Sequence, residues 1–333
     1  VRSRGLGDVY KRQGVDMTDT QNEVFKSPVN KIRLFEHGAP GSQNLKLTRK
    51  YYTEDMPDGR VKHIVQNITD PDIVPYIPDG IGNSTDRQRI PAVLIIPGGA
   101  FRRLVYNFEG EDVAKWLNSM GIAAFVLECR LPSDEHDNAE DVPLIDAMRA
   151  MRVIRGRAQE FGIDEAKIGV MGFSAGGFMA ALLSTAYESD VYADYKYKDE
   201  YDKLSARPDF AVCSYPVISI DDCIEAGKRY MSEEQVLERI SDSKAKILHK
   251  YNPDKLVRPD MPPVFICETD DDRTTLSENS VGFYMAARKA GVSAELHIFR
   301  TGGHGYGCGD DFAQTGEWKV LFTKWIKSIG IIS

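Results

Sequence analysis

From 168 to 177 the chain reads Ile-Gly-Val-Met-Gly-Phe-Ser-Ala-Gly-Gly, and no other stretch constrains its fold as tightly. An apolar strand runs into a sharp turn, and a helix continues through Ala180-Ala181-Leu182-Leu183. Ser174 stands at the apex of the turn, where a side chain is lifted clear of a sheet and faces solvent or a cleft. The flanking glycines answer a steric demand, because a turn this tight leaves no room for a side chain beside its neighbours. With 28 glycines in 333 residues, a Gly-x-Ser-x-Gly pattern arises by chance roughly 0.1–0.2 times. The strand before it and the helix after it therefore carry the inference.

Strand and helix signals alternate around this turn. Residues 92–96, 122–128 and 167–171 read as buried strands, followed by 210–214, 264–268 and 295–299. Helices are expected at 109–120, closed by Gly121, and at 141–161, 277–290 and 318–329. Such alternation implies an α/β fold with a mostly parallel central sheet and helices on both faces. Short alternating runs from 45 to 77 imply an antiparallel start to the sheet. Ligands on parallel sheets bind beyond the carboxyl ends of the strands, and the candidate functional residues fall at such ends.

Two segments interrupt the alternation. Residues 187–207 are rich in Tyr, Asp and Lys, and residues 216–262 carry one expected helix at 232–250. Each is expected to be either a cover over the cleft or a surface excursion, since long insertions in compact domains are often functional. The first residues are rich in Arg and Gly and lack an apolar period. Residues 1–16 are therefore read as a disordered or artefactual tail, and 17–333 as a single domain.

A hydrophobic fraction of 42% supports a sizeable core, and a net charge of −8 disfavours nucleic acid and anionic membranes as partners through repulsion. No apolar run approaches the length of a membrane span. The five cysteines, Cys129, Cys213, Cys223, Cys267 and Cys308, show no C-x-x-C spacing. Buried thiols are expected rather than a disulfide framework. No secretion signal is visible, so the default expectation is a cytoplasmic protein, or a secreted or periplasmic one where a leader has been removed.

A serine hydroxyl needs a base to take its proton, and imidazole suits that task near neutral pH. Of the six histidines, His304 lies in Thr301-Gly302-Gly303-His304-Gly305-Tyr306-Gly307, directly after the last strand and before the last helix. A glycine-rich loop there lets its ring reach Ser174. A carboxylate must then fix the imidazole, and Asp270, Asp271 and Asp272 follow the strand at 264–268. An oxyanion needs preorganised N–H donors. Ala175, which opens the helix after the serine, supplies one, and Gly99 and Ala100 of Pro97-Gly98-Gly99-Ala100 supply the others. Phe101 and Arg102, which follow that loop, and Phe173 and Tyr306, beside the serine and histidine, are candidate substrate contacts. His136 among Asp134, Glu135 and Asp137 shows no metal-ligand spacing, so no metal site is expected and the loop is read as solvated.

The order of Pro-Gly-Gly-Ala loop, Gly-Phe-Ser-Ala-Gly-Gly turn, aspartate and Gly-Gly-His-Gly resembles an α/β-hydrolase. More narrowly, the chain is similar to the bacterial carbohydrate-esterase-like branch that includes acetylxylan and feruloyl esterases, over about residues 45–330. The resemblance implies a serine esterase that removes acetyl or feruloyl groups from plant cell-wall polysaccharides such as xylan, without a metal or organic cofactor. It also selects among the acids. In such proteins the acid usually lies in Thr-Ala-Asp-Asp, and the register set by Ser280 implies Asp272, with Asp271 the alternative. The chain departs from the pattern at Asp270, which replaces alanine, and at Thr275-Leu276, which replace Val-Pro. It departs again at Phe178, where histidine is frequent, and at Ala100, which replaces a third loop glycine and is expected to trim the acyl pocket. A small-ester esterase without sugar specificity, an acyltransferase and a non-catalytic binding protein are the competing expectations.

Overall fold

A computed structural model describes residues 25–81, 89–229, 232, 234–236, 243–309 and 314–333. The strands are β1 (Ile32–Arg33), β2 (Lys50–Asp55), β3 (Val61–Gln66), β4 (Asp72–Tyr76), β5 (Ile90–Ile96), β6 (Leu104–Val105), β7 (Ala123–Glu128), β8 (Ile163–Phe173), β9 (Ala211–Ser214), β10 (Val264–Thr269) and β11 (Ala294–Phe299). The helices are α1 (Asp112–Ser119), α2 (Val142–Gly156), α3 (Ala158–Phe161), α4 (Ala175–Ala186), α5 (Ile220–Lys228), α6 (Ser243–Lys250), α7 (Ser277–Lys289) and α8 (Glu317–Ser328).

The main sheet has the order β1-β4-β7-β5-β8-β9-β10-β11. Its first two pairings, β1 with β4 and β4 with β7, are antiparallel, and every later pairing is parallel. This is the α/β architecture with an antiparallel start that the alternation implied. β7 and residues 92–96 of β5 are buried throughout. An uninterrupted apolar run of this kind suits a strand covered on both faces. α1 and α8 meet through Trp116, Trp318 and Phe322, and α2 packs against α4.

A second sheet, β2-β3-β6, is antiparallel. Its last strand comes from the segment that follows β5. The loop between β5 and β6 is therefore held at both ends. Val105 N–H donates back to Gly98 O at 2.9 Å, and Tyr106 N–H donates to His63 O at 2.8 Å.

Several boundaries differ from expectation. The helix expected at 141–161 is divided between α2 and α3, with Arg157 at φ −101°, ψ 15° between them. Gly156 is packed against the Tyr201 ring so closely that a Cβ there would lie 2.4 Å from it. The helix expected at 109–120 begins with a wide turn, Asn107–Glu111, before α1. α5 was not anticipated, because its DDCIEAGK sequence carries little apolar signal. Of the helix expected at 232–250, α6 is described, and residues 237–242 lie outside the described residues, as does the tail at 1–16.

The two interrupting segments take different places. Residues 187–207 lie along α2, where Arg149 pairs with Asp199 and Asp202 and Arg152 N–H donates to Leu204 O. Beyond Pro216, the chain leaves the carboxyl end of β9, and α6 packs on the turn Pro132–Asp134 that follows β7. The described parts of that second segment thus lie at strand ends on the side where ligands of such sheets bind. Cys129, Cys213, Cys267 and Cys308 are buried free thiols. No helix among the described residues is long and apolar enough to cross a membrane.

His136 is buried rather than solvated. Arg130 Nη1 donates to Ser42 Oγ at 2.8 Å, so the Ser42 proton is directed to His136 Nδ1 at 3.0 Å. Burial, reinforced by the Arg130 charge, pushes the imidazole from 6.5 down to about 4. A histidine depressed in this way binds its proton in the unfolded chain first, so its contribution is lost as pH falls from 6.5 toward 4. The ring should stay neutral to about pH 4 in an NMR titration. His136→Gln should lose less stability than the wild type between about pH 7 and pH 5, and equal losses in denaturant titrations would contradict the assignment.

Candidate active site

Ser174 is fixed at the junction of β8 and α4 with φ 55° and ψ −119°. This conformation is unfavourable for a residue with a side chain and costs about 1–3 kcal/mol. The turn survives because the backbone around it is locked. Ser174 N–H donates to Ser214 O at 3.0 Å, and Phe178 N–H donates to Ser174 O at 3.0 Å. The two glycines of the motif are demanded by contact. A Cβ on Gly172 would lie 1.9 Å from Gly176 O, and one on Gly176 would lie 1.9 Å from Ile96 O.

His304 lies within reach of this hydroxyl, with Nε2 2.9 Å from Ser174 Oγ. Its Nδ1 is 2.7 Å from Asp272 Oδ2. A carboxylate can only accept, so the proton sits on Nδ1 and Nε2 is left to accept from Ser174. Asp272 is 4% exposed and fully engaged. Its Oδ1 accepts from Thr274 N–H at 2.7 Å and Thr275 N–H at 2.9 Å, and its Oδ2 accepts from Thr275 Oγ1 at 3.0 Å. Burial pushes this carboxyl up, yet the hydrogen bond and charge of His304 and the two backbone donors outweigh it and hold it below the usual range.

The neighbouring acids do other work. Asp271 Oδ1 accepts from Gly302 N–H at 2.9 Å and Gly303 N–H at 2.8 Å, so it shapes the loop that carries His304. Asp270 is exposed. Glu268 is buried beneath Asp272, accepting from Thr269 N–H at 2.9 Å and Ser280 Oγ at 3.3 Å. Burial, together with the Asp272 charge, pushes its carboxyl well up. Thr275, one of the departures from the family pattern, thus braces the acid.

The loop after β5 lies against Ser174. A Cβ on Gly98 would come within 2.9 Å of Ser174 Cβ. Arg102 and Arg103 N–H both donate to Gly99 O, at 3.2 Å and 3.3 Å, and wind the loop tightly. Gly99 has φ 137° and Ala100 φ 57°. Ala175 opens α4, where the first N–H groups of a helix lack internal partners. Beside these residues is a narrow recess with about 10 Å³ of free space, lined among others by Phe101, Leu104, Leu131, Pro132 and Met179.

Of the four expected substrate contacts, Phe101 lines this recess, its ring edge-on to Phe178 at 5.5 Å. Arg102 is exposed. Phe173 and Tyr306 are corrections. Phe173 is completely buried, packed between Tyr215 and Trp318. As the last residue of β8 it sends its ring into the core while its neighbour Ser174 breaks away. Tyr306 is buried against Tyr215, ring centroids 4.5 Å apart, and so lies beneath the site rather than in it. Two residues beside the site went unnoticed in the sequence, Glu109 and Tyr215. Tyr215 carried one available signal, its place at the carboxyl end of β9. Among the described residues, no group of three or more His, Cys, Asp or Glu side chains is arranged to hold a metal ion.

Residues 81–286 match the model of the BD-FAE family. The chain is 31% identical over 240 residues to an acetylxylan esterase of Xylanibacter ruminicola, covering 72% of this chain and 45% of that protein. It is 31% identical over 227 residues to endo-1,4-beta-xylanase B of Butyrivibrio fibrisolvens, covering 68% of this chain and 34% of that protein. The chain therefore spans less than half the length of these two curated relatives. Among solved structures, an acetyl ester-xyloside bifunctional hydrolase from Caldicellulosiruptor lactoaceticus matches with a TM-score of 0.69 and 35% identity, covering 91% of this chain and 97% of that one. The fold is that of an α/β-hydrolase.

Backbone contact at the turn sets the sign of two glycine substitutions. Gly176→Ala should lower stability by about 3 kcal/mol or more, or prevent folding, because backbone must move to admit the methyl group. Gly282→Ala, in α7 with nothing within 4 Å of the added carbon, should instead stabilise by about 0.5–1 kcal/mol. Thermal melts of the two variants check both signs.

Proposed function

The chain belongs to the BD-FAE family, and from that premise we propose that it is a serine esterase that hydrolyses short acyl esters on xylan through an acyl-enzyme. The observation that carries the reading is the continuous hydrogen-bonded chain from Ser174 Oγ through His304 to Asp272, with spacings of 2.9 Å and 2.7 Å.

Ser174 Oγ attacks the acyl carbon while His304 Nε2 takes the hydroxyl proton. The imidazolium that forms is stabilised by Asp272, which stays ionised and keeps the ring in one tautomer. The oxyanion of the tetrahedral intermediate receives the N–H groups of Gly99, Ala100 and Ala175. His304 then gives its proton to the leaving sugar oxygen. In the second half, water gives a proton to His304 and attacks the acyl carbon; His304 returns that proton to Ser174 Oγ as the acyl–oxygen bond breaks and the acid leaves.

Xylan as the substrate is supported by the relatives, one an acetylxylan esterase and one a xylanase. The recess limits the size of the acyl group. Its free space, about 10 Å³, is roughly that of one water-sized group. Its lining is mainly apolar, so acetyl suits it better than feruloyl.

Ser174→Ala should lower kcat for an aryl acetate by on the order of 10⁴ or more with the fold intact. Asp272→Asn should lower it by about 10⁴ through the wrong histidine tautomer. Asp271→Asn, which keeps the oxygen that the loop amides use, should change it by less than about tenfold. Parallel incubation with acetylated xylan, methyl ferulate and an aryl acetate tests the substrate. Acetate release from the polysaccharide supports the proposal. Turnover of the aryl acetate alone would leave an esterase without sugar specificity, and failure of a fluorophosphonate to label Ser174 would favour a binding protein.

A further inference from the structure

Glu109 is a carboxylic acid with 4% exposure. It lies in the wide turn Asn107–Glu111, outside the Ser174–His304–Asp272 chain. Both of its oxygens accept. Oε2 takes Gly98 N–H at 2.8 Å, on the loop that precedes Gly99 and Ala100. Oε1 takes the Tyr215 hydroxyl proton at 2.9 Å. The Tyr215 oxygen in turn accepts Gly307 N–H at 3.0 Å, three residues beyond His304. The Tyr215 ring stands edge-on to the His304 ring, with centroids 5.0 Å apart. A single buried path, Gly98–Glu109–Tyr215–Gly307, therefore joins the loop on one side of Ser174 to the loop on the other.

We propose that Glu109 is a positioning residue that, through Tyr215, holds the oxyanion loop and the His304 loop in fixed relation across the nucleophile. An apolar residue would fill the same space, but it would leave Gly98 N–H and the Tyr215 hydroxyl buried without an acceptor. The loops pack closely around this path. A Cβ on Gly98 would lie 2.8 Å from Glu109 Oε2, and one on Gly307 would lie 2.6 Å from Phe108 O. Burial pushes the Glu109 carboxyl up, and the charge of His304 and the donors Tyr215 and Gly98 offset this in part.

The inference rests on the esterase reading above, and its test is a comparison of folded variants with an active wild type on an aryl acetate. Glu109→Ala should lower kcat by about 10–100-fold, since sub-ångström displacement of catalytic groups has effects of that order. KM should stay within about threefold. Glu109→Gln, which keeps an acceptor for Gly98, should recover part of that loss. Tyr215→Phe should lower kcat by about tenfold, and the Glu109→Ala/Tyr215→Phe double variant should fall well short of the product of the two single effects. Active-site titration of Ser174 separates slower turnover from a smaller folded fraction. If Glu109→Ala does not fold, Tyr215→Phe and Glu109→Gln decide. Folded variants with wild-type kcat, or single effects that multiply in the double variant, would overturn the proposal. A wild-type protein inert toward aryl acetates and fluorophosphonates would instead overturn the esterase reading.

Discussion

Backbone-to-backbone proximity at the carboxyl ends of β5 and β8 is the constraint on which the site depends. Three glycines, Gly98, Gly172 and Gly176, sit where an added carbon would overlap a main-chain oxygen. Closing these gaps lets the first turn of α4 lie directly against the end of β5. It presses Ser174 into a strained conformation that no helix or strand would tolerate alone. The strain is maintained by burial on every side, since Phe173, Ala175 and Phe178 are all in the core. Rigidity at this point turns a flexible hydroxyl into one with a fixed direction, and the imidazole need only arrive at the right place.

The three buried acids around the site are differentiated by their surroundings. Asp272 meets four donors, including His304, and is held ionised. Glu268, directly behind it, has fewer donors and faces a like charge, so its carboxyl favours the protonated form. Glu109 receives two donors and stands on the other side of the imidazole. Pairs of acids whose environments push them apart are how one site keeps a charge where it is needed without repelling itself.

Much of this was legible in one dimension. The parallel strands follow from apolar runs of five or six residues bounded by glycines and polar turns, because a strand covered on both faces must be apolar at every position. The convergence of Ser174, His304 and Asp272 was readable because each follows a strand of one parallel sheet, and such strands end on one side. Side-chain direction was harder. Phe173 and Tyr306 are next door in sequence to residues of the site, yet a strand alternates and a loop doubles back, so adjacency along the chain did not translate into adjacency in the cleft. Glu109 and Tyr215 were invisible for the converse reason. Their partners are 11, 106 and 92 positions away along the chain, and nothing periodic links them. The break between α2 and α3 has a similar origin, because the Tyr201 ring that crowds Gly156 comes from a distant segment.

The short strand β6 has a mechanical corollary. It belongs to the same loop as Gly99 and Ala100, yet its hydrogen bonds run to β3 in the smaller sheet. The hairpin of β2 and β3 thereby holds one wall of the cleft, while Ser174 is anchored at the end of β8 in the large sheet. The two sides of the cleft are thus carried by different sheets, one antiparallel and one mostly parallel.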